Sequence, residues 1–213
     1  MQLKKLKEQI SFCKLCELWK GRRNVVFGEG NENAEIMIIG LGPGREEDKV
    51  GKPFVGAAGK LLNELLAYAG LKREDLYITN VVKCIPPNNN PNEEQIRICT
   101  HTYLEKEIEI VNPRIIIPLG KIACSFALRE IFTKLPPMHR ICGKVFRAKV
   151  CGEKREIIPM YHPAAILRNP ALKEEAISHW KELRNILKNQ KSSKKSLFDF
   201  YLLFFLLFYM SFL

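Results

Sequence analysis

The feature that most constrains the fold is a glycine-rich stretch at 40–59, GLGPGREEDKVGKPFVGAAG. The apolar run Ile36–Ile39 precedes it and the helix-like segment Lys60–Tyr68 follows it, so the order is strand, glycine loop, helix. Proteins of the α/β class bind ligands in such loops, outside the carboxyl end of a strand. Closely spaced glycines also let a ligand approach the backbone. The pattern therefore predicts a functional loop over 40–59.

Two common phosphate-binding loops do not account for this stretch. A P-loop requires GxxxxGK[ST], and no Lys-Ser/Thr pair ends the segment. A dinucleotide-binding turn requires GxGxxG, and the three consecutive acids Glu46, Glu47 and Asp48 would repel a pyrophosphate. The loop instead offers carboxylates and one aromatic ring, Phe54, which are groups that could act on a base.

Apolar and amphipathic segments alternate along the chain. Strand-like runs occur at Glu35–Gly40, Leu76–Val82 and Arg114–Leu119, with a hairpin-like pair at 144–160. Helix-like segments separate them, including 92–110, where Asn92 is placed to cap the first turn. This alternation predicts the α/β class, as a single three-layer α/β/α domain with a mainly parallel central sheet. The segment Tyr161–Pro170 is predicted to be a second functional loop.

The chain is strongly basic. Lys and Arg number 34 against 23 Asp and Glu, which gives a net charge of +11 over 213 residues. A lysine-rich surface is also found in hyperthermophile proteins, although those are rich in Glu as well. The excess of positive charge favours a polyanionic partner such as nucleic acid.

Four of the seven cysteines are arranged as a possible metal site. Cys13 and Cys16 form a CxxC pair, while Cys84 ends the second strand and Cys99 lies on the next helix. Four thiolates from two distant segments suit either a zinc ion or a [4Fe–4S] cluster, and the spacing does not decide between them. Because no secretory signal is present, we predict a reducing, cytoplasmic setting with free thiols.

The motifs together resemble the family 4, iron–sulfur uracil-DNA glycosylases. The resemblance rests on GxGPGREEDxxGxPFVGxAG, TNVVKCIPP at Thr79–Pro87, YHPAAILRNP at Tyr161–Pro170 and the four cysteines, and it spans about Leu6 to Leu187. It implies a uracil-DNA glycosylase-like fold, excision of uracil from DNA and a [4Fe–4S] cluster on the four cysteines. Leu41 departs from the pattern, since the family commonly has Glu at that position.

The resemblance and the chemistry of the residues assign roles within the site. Phe54 is expected to stack on a flipped-out base, Asn80 to pair with uracil N3–H and O4, and His162 to donate to O2. Water positioning and charge stabilisation are assigned to Glu47 and Asn89, and backbone contacts with the base to Leu41, Gly42 and Pro43. Just after the HPA sequence, Leu167 is expected to wedge into the duplex and Arg168 to touch phosphate.

Rival interpretations remain open at this level. A non-catalytic, metal-stabilised nucleic-acid-binding protein would need the charge and cysteines but neither Glu47 nor His162. A small-molecule nucleotide hydrolase would not need the positive charge. On the glycosylase interpretation the substrate is single- or double-stranded uracil-containing DNA, the protein is a monomer, and no obligate protein partner is implied.

The C-terminal end differs in composition from the rest of the chain. We expect the catalytic domain to cover 1–190, with 191–213 outside it as a basic spacer and an apolar tail. The tail, LFDFYLLFFLLFYMSFL at 197–213, is 17 residues long and follows the lysine-containing spacer, as in a tail anchor. It contains Asp199 and no Ala, Gly, Val or Ile, so we expect it to be dispensable, and a membrane contact through it is doubtful.

Overall fold

A six-stranded mixed sheet forms the centre of the molecule, whose residues 2–190 are described by a computed structural model. The strands are β1 (Glu29–Gly30), β2 (Ile36–Gly40), β3 (Tyr77–Asn80), β4 (Ile115–Pro118), β5 (Phe146–Val150) and β6 (Glu153–Ile157). Their order is β1-β3-β2-β4-β6-β5. The four inner strands are parallel, and an antiparallel strand flanks them at each edge. The prediction of a mainly parallel sheet is confirmed.

Helices cover both faces of this sheet. They are α1 (Gln2–Ser11), α2 (Arg45–Val50), α3 (Ala57–Ala69), α4 (Glu93–Cys99), α5 (Glu105–Val111), α6 (Gly120–Ala127), α7 (Met138–Ile141), α8 (Pro163–Arg168) and α9, which covers 173–190. One π-helical stretch, Thr100–Leu104, joins α4 to α5. The predicted cap at Asn92 is confirmed, because its side chain accepts from the Gln95 N–H and that of Gln95 accepts from the Asn92 N–H.

The strand β2 shows why three layers form. All five of its residues are buried, and successive side chains point to opposite faces. Met37 and Ile39 join a core that includes residues of α1, α5 and α6, whereas Ile36 and Ile38 join a second core with residues of α3, α8 and α9. A strand that is apolar on both faces needs a helical layer on each. The three-layer prediction is therefore confirmed.

Two segments that were predicted to be loops contain short helices. Within 40–59, the helix α2 forms because Glu47 Oε2 accepts a hydrogen bond from the Gly44 N–H, and the helix ends at Gly51 with φ of 78°. Within Tyr161–Pro170, the helix α8 starts with Pro163 in its first turn, where proline is favoured. Each of these short helices begins where a side chain accepts a hydrogen bond from a main-chain N–H group. The two loop predictions did not anticipate these caps.

The strand register brings the two predicted functional segments to one edge of the sheet. Gly40 at the end of β2 is in register with Asn80 at the end of β3. On the other side of β2, Leu119 after β4 forms a bridge with Met160, directly before the second segment. The carboxyl ends of three parallel strands thus meet at one place.

Within 2–190, no helix is both long and apolar enough to cross a membrane. The apolar tail at 197–213 lies outside the described residues.

Candidate active site

A cavity of about 490 Å³ opens at the carboxyl ends of β2, β3 and β4. Eight of the ten residues that were predicted to act on the base or DNA line it: Leu41, Gly42, Glu47, Phe54, Asn80, Asn89, His162 and Arg168. The other two, Pro43 and Leu167, are outside its lining. Pro43 is buried behind the loop, and Leu167 is half exposed at the surface. Segments far apart in sequence therefore converge on one cavity.

Asn80 carries an unpaired acceptor into this cavity. The residue is only 2% exposed, and its Oδ1 atom has no hydrogen-bond partner among the described residues. A buried polar atom without a partner costs about 1–3 kcal/mol, so natural folds rarely keep one without a reason. The amide is therefore available to a ligand with a hydrogen-bond donor.

Phe54 holds a backbone conformation that is unusual for an aromatic residue. Its φ is 52°, and its ring stacks on that of His162 with centroids 5.8 Å apart. Glycine makes this placement possible. A Cβ atom on Gly59 would lie 1.9 Å from the Phe54 carbonyl oxygen, and one on Gly40 would lie 2.4 Å from Asn80 Oδ1. The glycines thus let the ring and the amide meet at the same wall.

His162 is a neutral donor fixed in one tautomer. Burial is the main factor that lowers the pKa of His162 to about 4, and nearby Arg168 adds to this, while Glu47 opposes it. The ring is therefore neutral at pH 7. Its Nδ1 atom accepts from the Ala164 N–H at 3.1 Å, so the proton resides on Nε2. The imidazole thus lines the cavity with an N–H donor at Nε2.

Glu47 is held by the loop that it belongs to. Its Oε1 atom accepts from the N–H groups of Val55 and Gly56, at 2.9 and 2.7 Å, and its Oε2 atom accepts from Gly44 at 3.1 Å. The carboxylate therefore joins the two ends of the loop while it lines the cavity. Of its neighbours, Glu46 pairs with Lys49 at the surface.

Asp48 is buried rather than solvated. Its carboxylate accepts from the N–H groups of Arg23 and Asn24, which fastens the segment before β1 to α2. Asp48 is thus committed to a structural contact, and it is not part of the cavity lining. Glu47 alone among the three acids reaches the cavity.

The remaining lining includes residues that the sequence interpretation missed. Gly120 and Lys121 follow Leu119 in the segment after β4, and Met138 and Tyr161 also line the cavity. The sequence signal for Gly120 and Lys121 was present, because they lie just beyond the carboxyl end of a parallel strand, where Leu41 also lies. Met138 lies in α7, within a segment whose spacing gave no strand or helix signal. Leu41 itself presents an apolar side chain to the cavity.

A second, smaller cavity gathers the four cysteines. Cys13, Cys16, Cys84 and Cys99 line it together with apolar side chains and Arg22, whose Nη1 atom donates to Cys84 Sγ at 3.2 Å. Burial raises the pKa of the Cys84 thiol, and it raises that of Cys99 to about 12. Within the described part of the chain, no three His, Cys, Asp or Glu side chains are arranged to hold a metal ion. The four cysteines thus line one cavity, and their role as metal ligands stays a prediction.

The fold and the cavity place the chain in a known class. Residues 27–188 match the sequence model of the Uracil DNA glycosylase superfamily. The chain is also 44% identical over 193 residues to a Type-4 uracil-DNA glycosylase of Archaeoglobus fulgidus, covering 90% of this chain and 95% of that protein. A Type-4 uracil-DNA glycosylase of Pyrobaculum aerophilum is 45% identical, covering 82% of this chain and 89% of the relative.

Relatives of another type are more distant. A Type-5 uracil-DNA glycosylase of Thermus thermophilus is 32% identical over 148 residues, which is 54% of this chain and 67% of that protein. The chain belongs to the Type-4 uracil-DNA glycosylases.

Proposed function

We propose that this protein excises uracil from DNA by hydrolysing the N-glycosyl bond, which releases the free base and leaves an abasic site. The observation that carries the proposal is the buried, unpaired Oδ1 atom of Asn80, which faces the same cavity as the Phe54 ring and the His162 imidazole. Uracil supplies the N3–H donor that this acceptor lacks, whereas cytosine presents an acceptor there. The site is thus complementary to one pyrimidine and not the other.

Base recognition requires that the nucleotide leave the duplex. A flipped-out base loses the stabilising contact with its neighbouring bases unless the protein supplies a new stacking surface, and the Phe54 ring provides one. Asn80 then reads the edge of the base, accepting from N3–H through Oδ1 and donating to O4 through its NH2 group. The N–H groups of Leu41 and Gly42 lie in the same wall and supply further donors, whereas Pro43 has none.

His162 assists departure of the base. As the C1′–N1 bond breaks, the base acquires negative charge that spreads to O2, and a fixed donor stabilises it. The neutral Nε2–H of His162 is such a donor, and its position is set by the Nδ1 contact with Ala164. Since the ring needs no change of protonation to donate, it is ready before the reaction begins.

Glu47 and Asn89 act on the sugar and on water. The sugar becomes cationic as the bond breaks, and the Glu47 carboxylate, held by three N–H groups, offers a fixed negative charge or an acceptor that orients the attacking water. Asn89, with φ of 54°, stands exposed at the rim of the same cavity, where its amide can hold that water. Both residues therefore serve the hydrolytic half of the reaction.

Contact with DNA extends beyond the cavity. Arg168 lies at its rim and is exposed, so its guanidinium can bind a phosphate next to the flipped nucleotide. One residue earlier in α8, Leu167 exposes half of its side chain to solvent, as a residue that fills the space left by the base would need to. The net charge of +11 favours this polyanionic partner.

The proposal is tested with an oligonucleotide that carries one uracil. Incubation followed by alkali should cleave the strand at that position, and the same oligonucleotide with cytosine should stay intact. Omitting the alkali should leave the uracil strand uncut, because a hydrolytic glycosylase does not break the backbone. A non-catalytic binding protein, which the family membership does not favour, would leave every strand whole.

We also propose that Cys13, Cys16, Cys84 and Cys99 hold a [4Fe–4S] cluster. The donor set fits, because four thiols line one small cavity and no His, Asp or Glu of the described residues lines it with them. The cluster would serve structure, by fastening the segment after α1 to the segments around β3 and α4.

The purified protein is therefore expected to be brown and to contain about four irons. Cys99→Ser should lower the iron content and the unfolding temperature together, whereas Cys124→Ser, at a buried cysteine outside that cavity, should leave the iron content unchanged. Metal analysis after anaerobic purification measures both. One zinc per chain with no iron would contradict the assignment.

The domain boundary is likewise proposed at residue 190. The family match ends at residue 188, and α9 reaches 190 as far as the chain is described. A protein truncated after Gln190 should excise uracil at the rate of the full chain and unfold at the same temperature. Loss of folding or activity would show that 191–213 contributes to the domain, and recovery of only the full chain with membranes would support an anchor.

A further inference from the structure

A fully buried ion pair contacts β3, the strand that carries Asn80. The side chains of Lys83 and Glu107 are 1% and 0% exposed, and Lys83 Nζ donates to Glu107 Oε2. Lys83 Nζ also donates to Thr79 Oγ1 at 2.6 Å and to the Asn80 carbonyl oxygen at 2.8 Å. The three donors of the ammonium group are thus all used, and one of them holds the main chain of Asn80.

The carboxylate of Glu107 is equally saturated. Its Oε2 atom also accepts from Thr79 Oγ1 at 2.9 Å, and its Oε1 atom accepts from the Gly28 N–H at 3.0 Å and the Tyr77 hydroxyl at 3.2 Å. Burial, followed by this carboxylate, raises the pKa of Tyr77 far above its usual value, so the phenol remains a donor. The network therefore ties three residues of β3 to the helix α5.

Stability alone does not explain such a network. Taking two charged groups out of water is costly, and well-packed apolar residues of similar volume often serve the fold as well or better. What a saturated network supplies is a fixed geometry, because each member has directional partners. Here the geometry concerns the Asn80 peptide, whose side chain carries the unpaired acceptor in the active-site cavity.

Lys83 also faces the cysteine site. It lines the small cavity together with Cys84 and Cys99. Lys83 therefore lies between the cysteine cavity and the active-site cavity. It lines the first, and its side chain contacts the main chain of Asn80, which lines the second. Any displacement of Lys83 would reach the Asn80 carbonyl through a single hydrogen bond.

We propose that Lys83 and Glu107 are positioning residues that fix the Asn80 amide for uracil recognition. The inference rests on the proposed uracil-excising function. The pair does not touch the base. It acts through the hydrogen bond from Lys83 Nζ to the Asn80 carbonyl oxygen, which holds the main chain of Asn80. The Oδ1 atom then meets the N3–H of the base while Phe54 and His162 contact the rest of the base. A misplacement of about 1 Å in such a site can lower a rate about 10²-fold.

The test replaces both charges at once, as Lys83→Met with Glu107→Leu, so that neither ion is left buried alone. The control is Arg129→Met with Glu105→Leu, an ion pair at 3.0 Å that also involves α5 but is partly exposed and away from the cavity. Single-turnover excision should fall at least tenfold in the first double variant and stay at the wild-type rate in the second. Affinity for uracil-containing DNA should change little in either. The unfolding temperature should fall in the first double variant, because the Gly28 N–H and the Tyr77 hydroxyl lose their buried acceptor, and should change little in the second.

The results separate the possible failures. If the wild-type protein does not excise uracil, the proposed function is wrong. If it does, and the Lys83/Glu107 double variant is folded and equally fast, the pair is only structural and this inference is overturned. Should that variant not fold, Thr79→Val removes the hydroxyl that bridges the pair without changing the volume. A folded Thr79→Val protein with a severalfold slower rate and unchanged DNA affinity supports the inference, and an unchanged rate overturns it.

Discussion

His162→Ala should slow uracil excision by about 10²–10³-fold, the usual effect of removing one fixed donor from developing negative charge. The imidazole meets the requirements for such a donor, because it is neutral and its Nε2 proton is fixed by the contact of Nδ1 with Ala164. The measurement is a single-turnover excision rate at saturating enzyme. Affinity for the DNA should change little, since the ring contributes mainly as the bond breaks.

The matched control is His101→Ala. The His101 side chain is 84% exposed and pairs with Glu105 outside the cavity, so its removal should leave the rate unchanged. A His162→Ala protein that excises uracil at the wild-type rate would remove this residue from the mechanism. A rate lost together with the fold would be uninformative, so the far-ultraviolet circular dichroism of both variants is compared first.

The low pKa of His162 has a consequence for pH dependence. An unfolded histidine takes up its proton near pH 6.5 and the folded one only near pH 4. The unfolded state therefore binds more protons in that interval, and the stability that the fold gains from neutral His162 is lost as the pH falls through it. The wild-type protein should lose stability between about pH 6.5 and 4 more steeply than His162→Ala does.

The excision rate should follow a different course. Because Nε2 donates in the neutral ring, His162 should cause no inflection in the rate near pH 6.5. A rate that falls as the pH rises from about 4 to 6.5, and does so only when His162 is present, would mean that the imidazolium is the active form. The comparison of the two proteins isolates this residue from other titrating groups.

The sequence predicted the sheet and the meeting point of the site residues because parallel strands have a strong signal. The runs at 36–39 and 115–117 are continuously apolar, which indicates burial on both faces. Once the strands are parallel, residues after their carboxyl ends must meet, whatever the loops do. Phe54, Asn80 and His162, which the loop motifs and the family resemblance made candidates, line one cavity for this reason.

The short helices α2 and α8 could not be predicted in this way. Each has six residues, too few for a periodic pattern, and each depends on one side chain that folds back on the main chain. The contacts of Glu47 with Val55 and Gly56 join residues eight and nine positions apart, which no local pattern encodes. The sequence therefore made Glu47 a candidate site residue without showing that it holds the loop together.

The Lys83–Glu107 pair could not be predicted from the sequence for a related reason. A lysine at the end of a strand and a glutamate on an amphipathic helix are both expected at the surface. Only the packing of α5 against β3 brings them together, across 24 residues of sequence. Such pairs can be recognised once burial and hydrogen bonds are known. They occur where the sequence pattern predicts an exposed side chain and the structure shows a buried one.

Asn80→Ala should lower the rate of uracil excision by roughly 10²-fold while leaving the unfolding free energy almost unchanged. Two hydrogen bonds to the base disappear, which together are worth about 2–3 kcal/mol in a buried site. The Oδ1 acceptor has no partner among the described residues, so removing it relieves a cost and offsets the small cavity that the substitution creates. The two measurements are single-turnover excision and denaturant unfolding.

This separation of activity from stability is what distinguishes a recognition residue from a structural one. If Asn80 were there to support the end of β3, its loss would destabilise the protein, as is expected of most buried polar side chains with satisfied partners. Asn185→Ala, at an exposed position on α9, serves as the control and should change neither quantity. Asn80→Asp adds a further comparison, because it replaces the donor to O4 with a second acceptor and keeps the volume. Asn80→Asp should therefore also excise uracil slowly, and a fast Asn80→Asp protein would show that O4 is read by another group.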